Sequence, residues 1–92
     1  MDDISLMQSI HYMTAIKRMR EFTTNDIPFS FEFIKLNGEH KIVSSASLRS
    51  GYRNNQSKRA KYLIAYHDNE EGTDRQFHRA LLIRLNGVNV TL

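Results

Sequence analysis

The strongest chemical feature of the sequence is a basic segment, residues 49–61. It carries five cations in thirteen residues, with no Asp or Glu between them. Tyr52 lies inside the segment, Tyr62 directly follows it, and residues 54–57 add polar side chains of the kind that contact phosphates. Cations neutralise phosphates, and aromatic rings stack on unpaired bases. The segment therefore predicts contact with a polyanion, nucleic acid above all, through Arg49, Tyr52, Arg53, Lys58, Arg59 and Lys61.

An acidic stretch around Gly72 follows the basic segment. Its carboxylates are Asp68, Glu70, Glu71 and Asp74. They lack the regular alternation of oxygen ligands that a calcium loop needs, so they predict a solvated hairpin tip. His67 and His78 flank the same predicted hairpin and would approach each other there. Nothing in the sequence supplies the partners that hold imidazole ligands in place, so we expect no metal site.

Catalytic motifs are missing from the sequence. There is no Cys, and the four glycines stand singly at predicted turns, which excludes a Gly-rich phosphate loop. Ser50-Gly51 lacks the preceding glycine of a nucleophile elbow. The four histidines share no ligand spacing. We therefore expect a protein that is not an enzyme and that needs no cofactor.

Length and composition predict one small domain. The chain has 92 residues and a net charge of +3, with 40% hydrophobic residues. That length leaves no room for a second domain. The N-terminus begins with acidic residues rather than the basic start of a secretory signal. The longest run of aliphatic residues, 80–83, is far shorter than the roughly 20 residues of a membrane span. We expect a single domain over 1–92, cytoplasmic in its cell and without a membrane partner.

Apolar periodicity predicts an N-terminal helix over residues 5–23. Leu6, Ile10, Met13 and Ile16 recur at spacings of four, three and three, which places them on one helix face. The polar residues 23–26 compete for backbone hydrogen bonds and end the helix. A start at Thr14, with the preceding residues as a loose arm, is the alternative.

Five strands are predicted after the helix: 28–36, 41–48, 62–67, 75–85 and 88–92. Phe29, Phe31 and Phe33 alternate with polar residues, so they predict a buried core face rather than a base-stacking platform. Asn37-Gly38 and Asn86-Gly87 predict tight hairpin turns. A short helix over 80–85 remains an alternative to the fourth strand.

These elements predict an α+β fold, in which the amphipathic helix packs on a four- or five-stranded antiparallel meander. A small SH3-like or OB-like barrel is the alternative, because closure hides strand edges. The open edges of a meander suggest a second function, that of a virion or assembly subunit. It would self-associate, or bind an assembly partner, through strand 88–92 or the helix residues Leu6, Met7, Ile10 and Met13.

Three strings of residues carry a resemblance: 27–33 (Ile-Pro-Phe-Ser-Phe-Glu-Phe), 48–57 (Leu-Arg-Ser-Gly-Tyr-Arg-Asn-Asn-Gln-Ser) and 63–66 (Leu-Ile-Ala-Tyr). With them the chain resembles small uncharacterised proteins of bacteriophages and mobile elements of Bacteroidetes, from about residue 14 onward. The resemblance implies a phage or mobile-element origin, near virion-assembly genes, and a place in the host cytoplasm or the virion. It implies no activity and no functional residue.

Overall fold

Seven strands, one α-helix and one short 3-10 helix form the described part of the protein, which in this computed structural model comprises residues 9–49 and 62–92. The helix α1 spans Tyr12–Thr24, and the 3-10 helix spans Arg79–Leu81. The strands are β1 (Ser9–His11), β2 (Phe29–Ile34), β3 (His40–Leu48), β4 (Leu63–Asp68), β5 (Thr73–His78), β6 (Leu82–Leu85) and β7 (Val88–Thr91).

The helix begins later than the apolar spacing predicts. Residues 9–11 form β1 and pair in parallel with β7, in the register Ser9 to Asn89 through His11 to Thr91. The prediction of helix over 9–11 is therefore wrong, because these residues gain backbone hydrogen bonds from a strand far along the chain. Residues 5–8 lie outside the described residues. His11 caps the helix by accepting a hydrogen bond from the Met13 N–H at 3.2 Å.

The sheet is mixed, and its strand order is β1-β7-β6-β2-β3-β4-β5. The α+β class is confirmed, but a four- or five-stranded antiparallel meander is wrong. Two local features make the difference: β1 adds a parallel pair, and the 3-10 helix divides the predicted strand 75–85 into β5 and β6. The other four predicted strands lie within two residues of the observed bounds.

The sheet curls around its own core. The rings of Phe31 on β2 and Phe77 on β5 lie 5.0 Å apart, centroid to centroid. In a flat sheet, β3 and β4 would separate these two strands by about 14 Å, three strand spacings. Only a strongly curved sheet brings them into contact. The same curvature lets the three residues of the 3-10 helix connect β5 to β6, which lies beside β2.

Phe31 lies at the centre of the core, as the alternation along β2 predicts. Its ring also packs edge-on against Tyr66 at 5.0 Å and stacks on Phe33 at 5.7 Å. Ala15, Ile16 and Met19 of α1 are buried in the same cluster. Thr23 ties the helix to β3 by accepting the Leu48 N–H at 2.9 Å. The core therefore joins the helix to both ends of the curled sheet.

The turn between β6 and β7 is built by the predicted Asn-Gly pair. Asn86 and Gly87 both have positive φ, +50° and +84°, as a tight hairpin turn requires. The Asn86 N–H donates to the Ser30 carbonyl at 2.8 Å, and its side-chain oxygen accepts the Ser30 N–H at 2.9 Å. Ser30 lies where the β2–β3 register shifts. The turn thus satisfies both backbone groups of Ser30 and extends the contact between β2 and β6.

Truncation of Phe31 tests the importance of the curled core. Phe31 is 2% exposed, so Phe31→Ala is expected to lower the free energy of unfolding by about 3–5 kcal/mol. Ile42 is 69% exposed on β3, and Ile42→Ala is expected to change it by less than about 0.5 kcal/mol. Urea denaturation followed by circular dichroism measures both. Equal losses for the two variants would contradict this description of the core.

Candidate functional site

Only the first residue of the predicted site belongs to the described part of the chain. Tyr52, Arg53, Lys58, Arg59 and Lys61 lie outside the described residues. Arg49 follows β3, and its N–H donates to the Ala65 carbonyl at 2.9 Å. Its guanidinium lies 3.3 Å from the carboxylate of Asp74, with both side chains about half exposed. Arg49 is therefore partly neutralised by an acid of its own fold.

Tyr12, Tyr62, His78 and Arg79 form an aromatic–arginine cluster. It lies at the start of β4, directly after the basic segment in the sequence. The Arg79 guanidinium carbon is 5.6 Å from the centre of the Tyr62 ring and 5.9 Å from that of Tyr12. The rings of Tyr62 and His78 stack at 5.8 Å with 17° between their planes. Three π faces and a permanent cation thus share one surface.

Backbone contacts hold this cluster in place. The Arg79 N–H donates to the Tyr62 carbonyl at 2.8 Å, continuing the β4–β5 ladder beyond the strand ends. His78 caps the 3-10 helix through its ring nitrogen, which accepts the Ala80 N–H at 3.2 Å. Tyr12 is the first residue of α1. The cluster is therefore assembled at the ends of four elements, β4, β5, the 3-10 helix and α1, which position its side chains.

The chemistry of the cluster suits unpaired bases and phosphates. Tyr62 is 47% exposed, so part of its surface is open to a ligand. Within residues 9–49 and 62–92, no carboxylate forms a salt bridge with Arg79, which is held instead by cation–π contacts. Sequence reasoning missed Tyr12, His78 and Arg79 as candidates. Only Tyr62 carried a signal, its position beside the basic segment.

The acidic stretch serves the fold rather than a cation. Asp68 is 4% exposed, and its carboxylate accepts the N–H groups of Glu70 and Glu71, each at 3.0 Å, closing the β4–β5 turn. The carboxylate of Glu71 lies 3.4 Å from the Lys41 ammonium and 3.6 Å from the Arg75 guanidinium. The carboxylates of Asp68 and Glu71 therefore already have partners within the fold.

The two hairpin histidines are held apart. His67 pairs with Asp74 across the β4–β5 ladder, whereas His78 lies opposite Leu63. Four residues of strand separate the two positions, about 13 Å. The idea that His67 and His78 approach each other is therefore wrong. Among the residues that the structure describes, no group of three or more His, Asp or Glu side chains is arranged to hold a metal ion.

Asp74 is stabilised as an anion by its neighbours. The His67 ring nitrogen lies 2.7 Å from one carboxylate oxygen. That hydrogen bond, with a smaller contribution from the charge of Arg49, lowers the pKa of Asp74 below its ordinary value. Asp74 thus links the start of the basic segment to the β4–β5 hairpin.

Glu32 forms a similar charged cluster on β2. Its carboxylate accepts a hydrogen bond from Arg84 on β6 at 2.6 Å and lies 2.9 Å from the His40 ring nitrogen on β3. The hydrogen bond with His40, followed by that from Arg84, lowers the pKa of Glu32 below its ordinary value. The cluster ties three adjacent strands together.

A cleft of about 850 Å³ lies between β5 and the end of β2. Phe33, Tyr66 and Phe77 contribute buried rings to its lining. Two of its charged lining residues, Lys35 and Asp74, are about half exposed. The cleft is therefore apolar at its base and charged at its rim, and its position along β5 leaves room beside that strand.

Comparison of the chain with family models, curated proteins and solved structures finds no match. In the part of the chain that the structure describes, no helix is long and apolar enough to cross a membrane.

The Glu32 cluster gives a pH-dependent test. We expect Glu32→Gln to lower the free energy of unfolding near pH 7, because Gln lacks the negative charge that His40 and Arg84 stabilise. Since the folded-state pKa is lowered, this stabilisation is complete above the unfolded-state pKa and is lost as the pH falls through the folded-state pKa. The difference between wild type and variant should therefore vanish under strongly acidic conditions, as measured by urea denaturation.

Glu21→Gln is the matched control, because Glu21 is exposed on α1 and its side chain has no salt bridge to the described residues. It should change stability little at either pH. A loss in Glu32→Gln that is the same at neutral and acidic pH would contradict an electrostatic role for Glu32.

Proposed function

We propose that this protein is a small, non-enzymatic binding module of a phage or mobile element, which acts in the host cytoplasm or the virion. It contacts a polyanion, with single-stranded nucleic acid as the favoured ligand. The observation that carries the proposal is the position of the aromatic–arginine cluster. An exposed tyrosine, stacked on His78 and touched by Arg79, directly follows a segment whose sequence carries five cations and no Asp or Glu.

The two ends of the basic segment are close together on the fold, which supports a combined binding surface. Arg49 is hydrogen bonded to Ala65, three residues beyond Tyr62 on β4. That spacing corresponds to about 10 Å along a strand. Arg49, the first of the basic residues, thus lies near Tyr62, and phosphate contacts and stacking would act there on the same ligand.

Unpaired bases fit this surface better than a duplex. Base stacking on an aromatic ring needs a base whose face is free, and in a duplex both faces are covered by neighbouring pairs. An exposed tyrosine with an adjacent arginine accepts any base, because every base has a π face. We therefore propose binding without strong sequence preference.

We also propose that the curled sheet, with the helix packed against it, is a partly open barrel of the small SH3-like or OB-like kind. The contact between Phe31 and Phe77 across the core supports this view. OB-like barrels bind oligonucleotides on their strands and loops, an analogy at the level of fold alone.

Salt dependence tests the role of the basic segment. We expect affinity for labelled single-stranded DNA and RNA to fall with salt, with a log–log slope of about −0.7 for each phosphate neutralised. The double variant Lys58→Ala/Arg59→Ala should weaken binding and reduce the slope by about 1.4 if each cation neutralises one phosphate. Fluorescence anisotropy across a salt series measures both quantities.

The double variant Lys35→Ala/Lys41→Ala is the matched control, because it removes the same charge from the β2–β3 hairpin. It should leave the slope unchanged. Absence of binding to single strands and duplexes at low salt, or equal effects of the two double variants, would refute the nucleic-acid proposal.

Substitution of Tyr62 tests stacking. We expect Tyr62→Leu to reduce single-strand affinity by roughly 5- to 150-fold, the equivalent of about 1–3 kcal/mol for one stacked base. Duplex affinity should change much less, since duplex bases are already stacked. Tyr62→Phe keeps the ring and should bind almost as wild type. We expect Tyr52→Ala, within the basic segment, to show the same preference for single strands. Equal losses for Leu and Phe at position 62 would argue against stacking.

A further inference from the structure

The open edges of the sheet are not where the sequence places them. The terminal strand β7, expected to pair with another copy, lies between β6 and β1 and has partners on both sides. Strand 88–92 is therefore wrong as the exposed pairing element. Among the described strands, β1 and β5 end the order, and β5 is the longer of the two, with six residues against three.

The pairing with β4 shows which backbone N–H and C=O groups of β5 point away from that strand. The Arg79 N–H donates to Tyr62 on the β4 side. Backbone groups alternate in direction along an antiparallel strand, so residues 75 and 77 also face β4. Asp74, Gln76 and His78 therefore direct their N–H and C=O groups away from β4, along the edge that the 850 Å³ cleft adjoins.

In the part of the chain that the structure describes, the β5 edge lacks the usual protection against pairing. Edge strands are commonly blunted by proline, a bulge or a covering segment. β5 contains no proline, and its six pairs with β4 run without a register shift. Among residues 9–49 and 62–92, its protection consists of the charges of Asp74 and Arg75, and charges that alternate in sign also permit pairing with a complementary strand.

The charge pattern of β5 is complementary to itself in one register. We propose that β5 pairs antiparallel with β5 of a second copy of this chain, with Gln76 opposite Gln76. Residues whose backbone groups point away from β4 must lie opposite each other in the two copies. Asp74 then lies opposite His78 at both ends of the strand pair. About six backbone hydrogen bonds form across the edge, two for each of the three outward-facing pairs. The carboxylate of one copy faces the imidazole of the other.

The neighbouring registers are disfavoured by charge or by loss of pairing. If the centre of the strand pair moves by one residue toward the N-terminus, Arg75 lies opposite Arg75. If it moves by two residues, Asp74 lies opposite Asp74. Like charges directly opposite each other destabilise a strand pair. One step toward the C-terminus places Asp74 opposite Ala80, which belongs to the 3-10 helix. This pairing does not depend on the nucleic-acid proposal, because it uses the backbone edge of β5 and shares only His78 with the aromatic–arginine cluster.

Disulfide trapping tests the register directly, since the chain has no Cys. In the proposed pair the two Gln76 Cα atoms lie about 5.5 Å apart, within the range that a disulfide spans. Gln76→Cys should form a covalent dimer rapidly under oxidised glutathione, as seen on non-reducing gels. Asn89→Cys, at an exposed position of the internal strand β7, should dimerise at least tenfold more slowly. Faster trapping of Arg75→Cys than of Gln76→Cys would overturn the register.

Light scattering after size exclusion tests the association without a new thiol. We expect wild type to approach twice its 10.8 kDa mass as concentration rises. Gln76→Lys places two like charges opposite each other and should remain monomeric, with an unchanged circular dichroism spectrum. Asn89→Lys carries the same charge change and should associate as wild type does. A wild-type monomer at millimolar concentration, or equal trapping of Gln76→Cys and Asn89→Cys, overturns the proposal.

Discussion

The contact between Phe31 and Phe77 across the curled sheet is the interaction on which the rest of the structure depends. It joins strands that a flat sheet would hold about 14 Å apart, and it buries the aromatic rings that a domain of this size needs for a core. The three-residue connection from β5 to β6 exists only because of this curvature. Arg79 is the first residue of this connection, which places it on the surface where Tyr62 and Tyr12 lie.

Two sets of charged side chains in the described residues have different roles. Carboxylates on the strands and in the β4–β5 turn are engaged by nearby bases: Glu32 by Arg84 and His40, Asp74 by His67 and Arg49. Arg79 is held by aromatic faces instead, which leaves its charge available to an anion. The proposed nucleic-acid surface is therefore centred on Arg79, away from the acidic hairpin.

The two proposed surfaces occupy different parts of the β4–β5 hairpin. The backbone edge of β5 offers hydrogen bonds to a second copy, and the aromatic–arginine cluster lies where β4 begins and β5 ends. His78 belongs to both, with its ring stacked on Tyr62 and its backbone directed outward. A dimer formed through β5 would therefore bring two nucleic-acid surfaces close to one shared seam, and one long single strand would be able to contact both.

Local patterns in the sequence were sufficient where neighbours along the chain decide the structure. The alternation of Phe29, Phe31 and Phe33 predicted the buried face of β2, and the Asn86-Gly87 pair predicted the turn that follows β6. The α+β class followed from the same signals. In each case the deciding interactions, side-chain alternation and backbone φ, lie within a few residues.

The remaining features were decided by contacts between distant residues, which no local pattern records. The apolar spacing around Ile10 predicted a helix, but pairing with β7, eighty residues away, made residues 9–11 a strand. The 3-10 helix at Arg79–Leu81 interrupts the predicted strand 75–85 and overlaps the apolar run 80–83. No local pattern marks this interruption, because only the curvature of the sheet requires a turn there. The sequence alone therefore determined the core face, the tight turns and the basic segment. The tertiary structure decided the edges of the sheet and the cluster around Arg79, because both depend on which strands the curled core brings together.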